Sequence, residues 1–174
     1  MPISTIGTDG LSTSPTLTTP KATTTIGVGN ATPAASGSGV TFPATQSASS
    51  DANTLDDYEE GTWTPSLNPS GGTSVSFSYG SRSAWYTRVG NIVTVGFDLN
   101  ATITYSSAPS RYRVDGLPFT QSSTSYGSYC VLNNSTGGGF IGRLSPSTAL
   151  LEQLILGVGS GTTVDLWGSA TYQV

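Results

Sequence analysis

Beyond Gly61 the chain alternates apolar and polar positions with a period of two, the mark of strands that bury one face. Val75, Phe77 and Tyr79 alternate with Ser74, Ser76 and Ser78, and Trp85, Thr87 and Val89 alternate with Tyr86 and Arg88. Gly90-Asn91 then offers a two-residue hairpin turn. Ile92-Val93-Thr94-Val95-Gly96-Phe97-Asp98-Leu99 returns as the partner strand and is expected to run on through Ile103 and Tyr105. Further strands are expected at 111 to 115, 126 to 133, 139 to 144, 149 to 158 and 162 to 173, divided by turns rich in Gly, Ser, Asn or Pro. Ala149 to Leu156 contains strong helix formers, but Pro146 and Gly157 confine it to barely two turns, so it too reads as a strand. About eight or nine short strands at this spacing predict an all-β fold, a β-sandwich or jelly roll. Its expected core is Trp63, Phe77, Trp85, Val93, Val95, Phe97, Leu117, Phe119, Leu132, Phe140, Ile141, Leu154, Leu156, Leu166 and Trp167.

Residues 1 to 50 follow no such pattern. They contain twenty Ser or Thr, one aromatic residue (Phe42), one acid (Asp9) and one base (Lys21). So little apolar surface cannot offset the entropy of ordering the chain, and this stretch is not expected to fold alone. Ser14-Pro15, Thr19-Pro20, Thr32-Pro33 and Phe42-Pro43 bias it toward extended conformations. Two apolar beads, Ile26-Gly27-Val28 and Val40-Thr41-Phe42, are set among small residues, as expected of a strand that gains its partners from other chains; a solvated linker is the plainer reading. The organisation expected is an extended arm at 1–50, an acidic junction at 51–60 and a β-rich head at 61–174.

Charge sharpens these divisions. Five of the ten acids lie between 51 and 60, namely Asp51, Asp56, Asp57, Glu59 and Glu60, whereas residues 61 to 174 balance four acids with five Arg. The junction therefore carries the net charge of −4 almost alone. No cluster of Lys and Arg exists to displace counterions from a phosphate backbone, so nucleic acid is not an expected partner. Only 9 % of residues are charged, well below the roughly 25 % of ordinary soluble domains, which leaves the solvent face of the head to Ser, Thr, Asn and Gly. Cys130 is the single cysteine, so no internal disulfide can form. Met1-Pro2-Ile3-Ser4 opens no basic and apolar leader, and no apolar run is long enough to cross a bilayer. Neither export by a standard signal nor membrane insertion is expected.

Catalytic chemistry finds few candidates. Histidine is absent, which removes the usual general base for a serine or cysteine nucleophile and the commonest metal ligand. Lys21 lies in the arm with no core around it to depress its pKa. The carboxylates at 56–60 are close enough for glycosidase chemistry, but a run ahead of the first strand is expected to be solvated, and a general acid needs burial. The same acids lack the Asp-x-Asp-x-Asp-Gly regularity of a calcium loop. The Gly-rich stretches end in no Lys-Ser or Lys-Thr and open no helix, so they are turns, not phosphate cradles. Neither catalytic residues, nor cofactor, nor metal is expected. A junction that holds arm and head apart, or contacts a neighbouring subunit through Asp56, Asp57, Tyr58, Glu59, Glu60 and Trp63, is the preferred reading. Tyr105, Tyr112, Tyr126 and Tyr129, near Arg111, Arg113, Asn133 and Asn134, have the residue types of a sugar-binding or protein-binding face. At this spacing they also read as half-buried cross-strand aromatics.

Gly37 to Gln46 and Ser49 to Pro65, with the run Leu55-Asp56-Asp57-Tyr58-Glu59-Glu60-Gly61-Thr62-Trp63-Thr64-Pro65 at its centre, resemble a segment of bacteriophage tail-fibre and other virion structural proteins. Tyr86-Thr87-Arg88-Val89-Gly90-Asn91-Ile92-Val93-Thr94-Val95 and Gly116-Leu117-Pro118-Phe119 resemble the head that follows it. The resemblance implies a homotrimer at the virion surface. Its arm would attach, through Ile26, Val28, Val40 and Phe42, to tail, baseplate or capsid proteins, and its β head would face outward to a host glycan or protein. Decoration of the capsid, with the arm lying over shell subunits and the trimer fastening them, is the alternative it leaves open.

Overall fold

Strands form where β-branched and aromatic residues alternate with Ser and Thr, and the protein is all-β with several sheets. The structure, a computed structural model, describes residues 25–46, 49–51, 53–124, 127–135, 138–144, 147–154 and 157–174. The chain divides into two units, Met1–Thr45 and Gln46–Val174.

Within the first unit, β1 (Thr25–Gly27) and β2 (Gly39–Thr41) pair in parallel, with Ile26 opposite Val40. Both side chains are exposed, Val28 is also exposed, and Phe42 is partly covered.

The second unit holds β3 (Tyr58–Thr62), β4 (Ser66–Ser70), β5 (Ser76–Val89), β6 (Ile92–Thr104), β7 (Arg111–Asp115), β8 (Ser128–Asn133), β9 (Gly138–Arg143), β10 (Leu150–Leu154) and β11 (Thr162–Gln173). Six of them form one sheet in the order β3-β5-β6-β11-β8-β9, and three form another in the order β10-β7-β4. All pairings in these sheets are antiparallel. One apolar core joins both sheets. Val93, Val95, Phe97, Leu99 and Ile103 of β6, Val131 of β8, and Val164 and Leu166 of β11 meet Leu67 of β4, Val114 of β7 and Leu151 of β10.

The expected hairpin is present: Val89 pairs with Ile92 and Gly90 takes φ 57°. A positive φ at the first central residue is what a II′ turn needs, and glycine adopts it without a steric cost. The expected strand at 149–158 is seen as β10, antiparallel to β7 with an irregularity between Leu151 and Leu154; Ile155 and Leu156 lie outside the described residues. Two strands were not anticipated. The acidic run, expected to be solvated ahead of the first strand, contains β3, which pairs with β5 at the sheet edge. An edge strand tolerates Glu59 and Glu60 because half its surroundings are water, and charge there blocks pairing with foreign strands. β4 contains Pro69, which a central strand excludes, and it is likewise an edge.

The expected core needs four corrections: Trp85 is 53 %, Leu132 52 %, Ile141 87 % and Trp167 48 % exposed. Register explains each, Ile141 lying opposite the exposed Cys130. Ala84, Tyr86 and Arg88 face Phe97, Val95 and Val93, so Trp85, paired with Gly96, must point to the other side. Leu166 and Val131 are fully buried, so their neighbours Trp167 and Leu132 point out.

Aromatic rings cover glycines across these strand pairs. An ideal Cβ on Gly96 would lie 2.6 Å from Trp85 Cε2, and one on Gly168 would meet the Phe97 ring. The indole and the phenyl group therefore lie flat on bare backbone, recovering contact that a glycine in a strand otherwise forfeits.

Candidate functional site

Two regions assemble polar or aromatic side chains. The first is the acidic segment, where among the described residues each carboxylate from Asp56 to Glu60 has a partner. Asp56 accepts hydrogen bonds from the Ser49 backbone N–H at 2.8 Å and from Gln46 Nε2 at 3.2 Å. These two donors, Ser49 first, hold its carboxyl below the usual carboxylate range. Asp57 is buried, and its Oδ2 lies 3.2 Å from Arg88 Nη2. That contact lacks hydrogen-bond geometry and is coulombic in nature. Arg88 spends its donors elsewhere, Nε on the Gly90 carbonyl at 2.9 Å and Nη2 on Gln46 Oε1 at 2.8 Å, while its guanidinium stands 5.2 Å from the centre of the Phe119 ring.

Glu60 accepts from the Tyr58 hydroxyl at 2.8 Å, and Glu59 accepts from the Tyr86 hydroxyl. The bond to Glu59, then burial, then the Glu59 charge push Tyr86 up to about 12. An unfolded tyrosine ionises near 10.0. The stabilisation from this pair is therefore whole below pH 10 and is lost as the pH rises from there to about 12. Glu59→Gln is expected to move the Tyr86 step in phenolate absorbance back toward the ordinary value. An unchanged titration curve would show that the bond is not made in solution. Among the described residues no group of three or more His, Cys, Asp or Glu is placed to hold a metal ion. Trp63, read from the sequence as a subunit contact, sits in the core, where its Nε1–H donates to the Trp85 carbonyl at 3.2 Å and its ring meets Phe97 edge-on.

The tyrosines read as a receptor face do not share one. Tyr112 and Tyr129 are only 3 % and 4 % exposed, so neither can offer a ring to a ligand. Tyr112 stands edge-on to Phe77, and Tyr129 covers Gly142. These two are the cross-strand aromatics of the alternative reading. Tyr105 is half-buried, and its hydroxyl donates to the Val158 carbonyl at 2.6 Å. Tyr126 lies outside the described residues.

The second region is the outer face of the six-stranded sheet. Strand pairing sets Ser83, Asp98, Trp167 and Leu132 in one row and Trp85, Gly96, Ser169, Cys130 and Ile141 in the next. Between the two indoles lies a cleft of about 480 Å³, floored by Gly96, Phe97 and Gly168 and rimmed by Ser83, Asp98, Cys130, Leu132 and Ser169. Rows of hydroxyls border it, with Thr94 joined to Thr171 and, farther along, Thr102 to Thr163. The sequence signal for this face was the presence of adjacent large apolar pairs, Leu166-Trp167 and Val131-Leu132, of which a strand can bury only one member.

Comparison of the chain with protein-family models, with curated proteins and with solved structures found no match.

Proposed function

We propose that the protein is a non-enzymatic structural component of a bacteriophage virion, a short homotrimeric fibre whose N-terminal arm anchors it to other virion proteins. In this reading the two sheets of Gln46–Val174 are the leaves of a β-sandwich head, exposed at the particle surface for attachment to the host. The virion assignment rests on the resemblance of residues 37–65 described above. The attachment role is carried by one observation: Trp85, Leu132, Ile141 and Trp167 stand exposed together on one sheet face. Exposed aromatic and apolar side chains grouped in this way mark binding surfaces. Trimer formation would give the arm a core that one copy lacks.

Capsid decoration is the second reading, favoured by the exposed Ile26 and Val40 of the paired arm strands, which offer an apolar foothold for a shell subunit. Imaging purified virions that carry the protein separates the two. Copies confined to the tail or vertices are expected, whereas copies spread over the whole shell would replace attachment by shell stabilisation. Particles devoid of the protein would remove both.

A further inference from the structure

We propose that the cleft between Trp85 and Trp167 binds neutral pyranose units of a surface glycan. The inference deepens the attachment reading by naming a ligand class, and it rests on that reading for its biological role. Three properties of the cleft point the same way.

The first is shape. Trp85 lies flat across Gly96, and the strand pairing sets Trp167 one strand beyond and two residues along. Strand spacing and rise place the two Cα atoms roughly 12 Å apart, with both indoles lining the cleft between them. The volume falls within the roughly 300–1,000 Å³ of small-molecule sites. The C–H face of a pyranose is apolar and flat, and an indole face exposed on a rigid sheet covers it without losing side-chain freedom on binding.

Unused hydrogen-bonding capacity is the second property. Among the described residues, Asp98 has no hydrogen bond or ion pair from its carboxylate, and neither the Trp85 nor the Trp167 indole N–H has an acceptor. Ser83 and Ser169 add hydroxyls at the rim. Vicinal sugar hydroxyls both donate and accept, so they can meet a carboxylate, two indole N–H groups and two serines together.

Charge is the third. Asp98 is the acid lining the cleft, and no Arg or Lys lines it. A sialylated or uronic glycan would bring its carboxylate against Asp98 without a cation to screen it. A second copy docked by this same face would cover Asp98 with the same cation-free surface, burying a carboxylate that has no donor. Neutral sugars avoid both costs.

The test uses the purified full-length protein on an array of neutral, sialylated and uronic oligosaccharides. Tryptophan emission and the heat of binding are then followed on titration with the neutral compounds retained. Neutral glycans are expected to bind and acidic ones to be rejected. Trp85→Ala and Trp167→Ala should each weaken binding by about tenfold or more, and Asp98→Ala should weaken it as well. All three variants should stay folded, with the thermal midpoint lowered by no more than a few degrees, since each side chain is exposed. The proposal is overturned if no neutral glycan binds, or if binding survives both tryptophan substitutions. It is overturned equally if acidic glycans or an Arg- and Lys-rich peptide bind while neutral sugars do not. Conversion of an oligomer to monomers by the double tryptophan variant, read by light scattering, would assign the face to contacts between copies and also overturn it. Virion imaging is independent of these results, so loss of the glycan site leaves the structural reading to stand or fall by itself.

Discussion

Arg88→Ala is expected to lower the stability of the Gln46–Val174 unit by about 3–5 kcal/mol, the usual cost of removing one partner from a buried ion pair. The side chains of Arg88 and Asp57 are only 15 % and 5 % exposed. Once the guanidinium is gone, the Asp57 carboxylate stays buried without a cation. Arg88 also fastens the β5–β6 hairpin through the Gly90 carbonyl, while the Gly90 N–H donates to the Asp57 carbonyl at 2.9 Å. Its bond to Gln46 draws in the segment that leads to β3. The deletion thus frees turn, edge strand and leading segment together. Arg88→Lys keeps the charge but not the fork of donors, and should fall between the two. Denaturant unfolding followed by tryptophan emission measures the effect, with an unchanged slope identifying a true change in stability. A loss below about 1 kcal/mol would mean that Asp57 is hydrated and that the pair behaves as a surface bridge.

Adjacent residues on β11 should respond in opposite ways. Leu166 is fully buried in the core shared by the two sheets, so Leu166→Ala is expected to cost about 2–5 kcal/mol through lost transfer energy and the cavity left behind. Trp167 is the larger side chain, yet Trp167→Ala should cost about 1 kcal/mol or less because its indole stands half in water on the far side of the strand. The contrast tests the register itself. If Trp167→Ala proved the more damaging, the strand would be inverted relative to the sheet, or the outer face would be covered in solution by another molecule.

Much of the fold was legible because its signals are local. A tight turn such as Gly90-Asn91 is specified by two residues, and a strand such as 92–104 by its own alternation, so these needed no knowledge of their partners. β3 and β4 were missed for the opposite reason. Glu59-Glu60 and Pro69 argue against a strand in isolation, and only an edge position in a sheet accommodates them. Tyr112 and Tyr129 were read as part of a binding face, since residue type suggests one while burial depends on what lies opposite. Tyr112 and Tyr129 are covered within the second unit, whereas Trp85 and Trp167 are left about half exposed.

By itself, then, the sequence determined that the chain is β-rich beyond its first sixty residues, where most of its turns fall and where its charge gathers. It also narrowed the chemistry, because a chain without histidine lacks the commonest base and metal ligand. Only the tertiary structure decided which of two neighbouring apolar residues enters the core. Alternation says that Leu166 and Trp167 face opposite ways, but not which way is in. That choice belongs to strand register and to the second sheet, whose Leu67, Val114 and Leu151 cover one face of the first. Such pairings join residues far apart in the chain, and no local pattern encodes them. The exposed indole pair and its cleft are therefore a property of the folded sheet, made from residues that the sequence alone would assign to its interior.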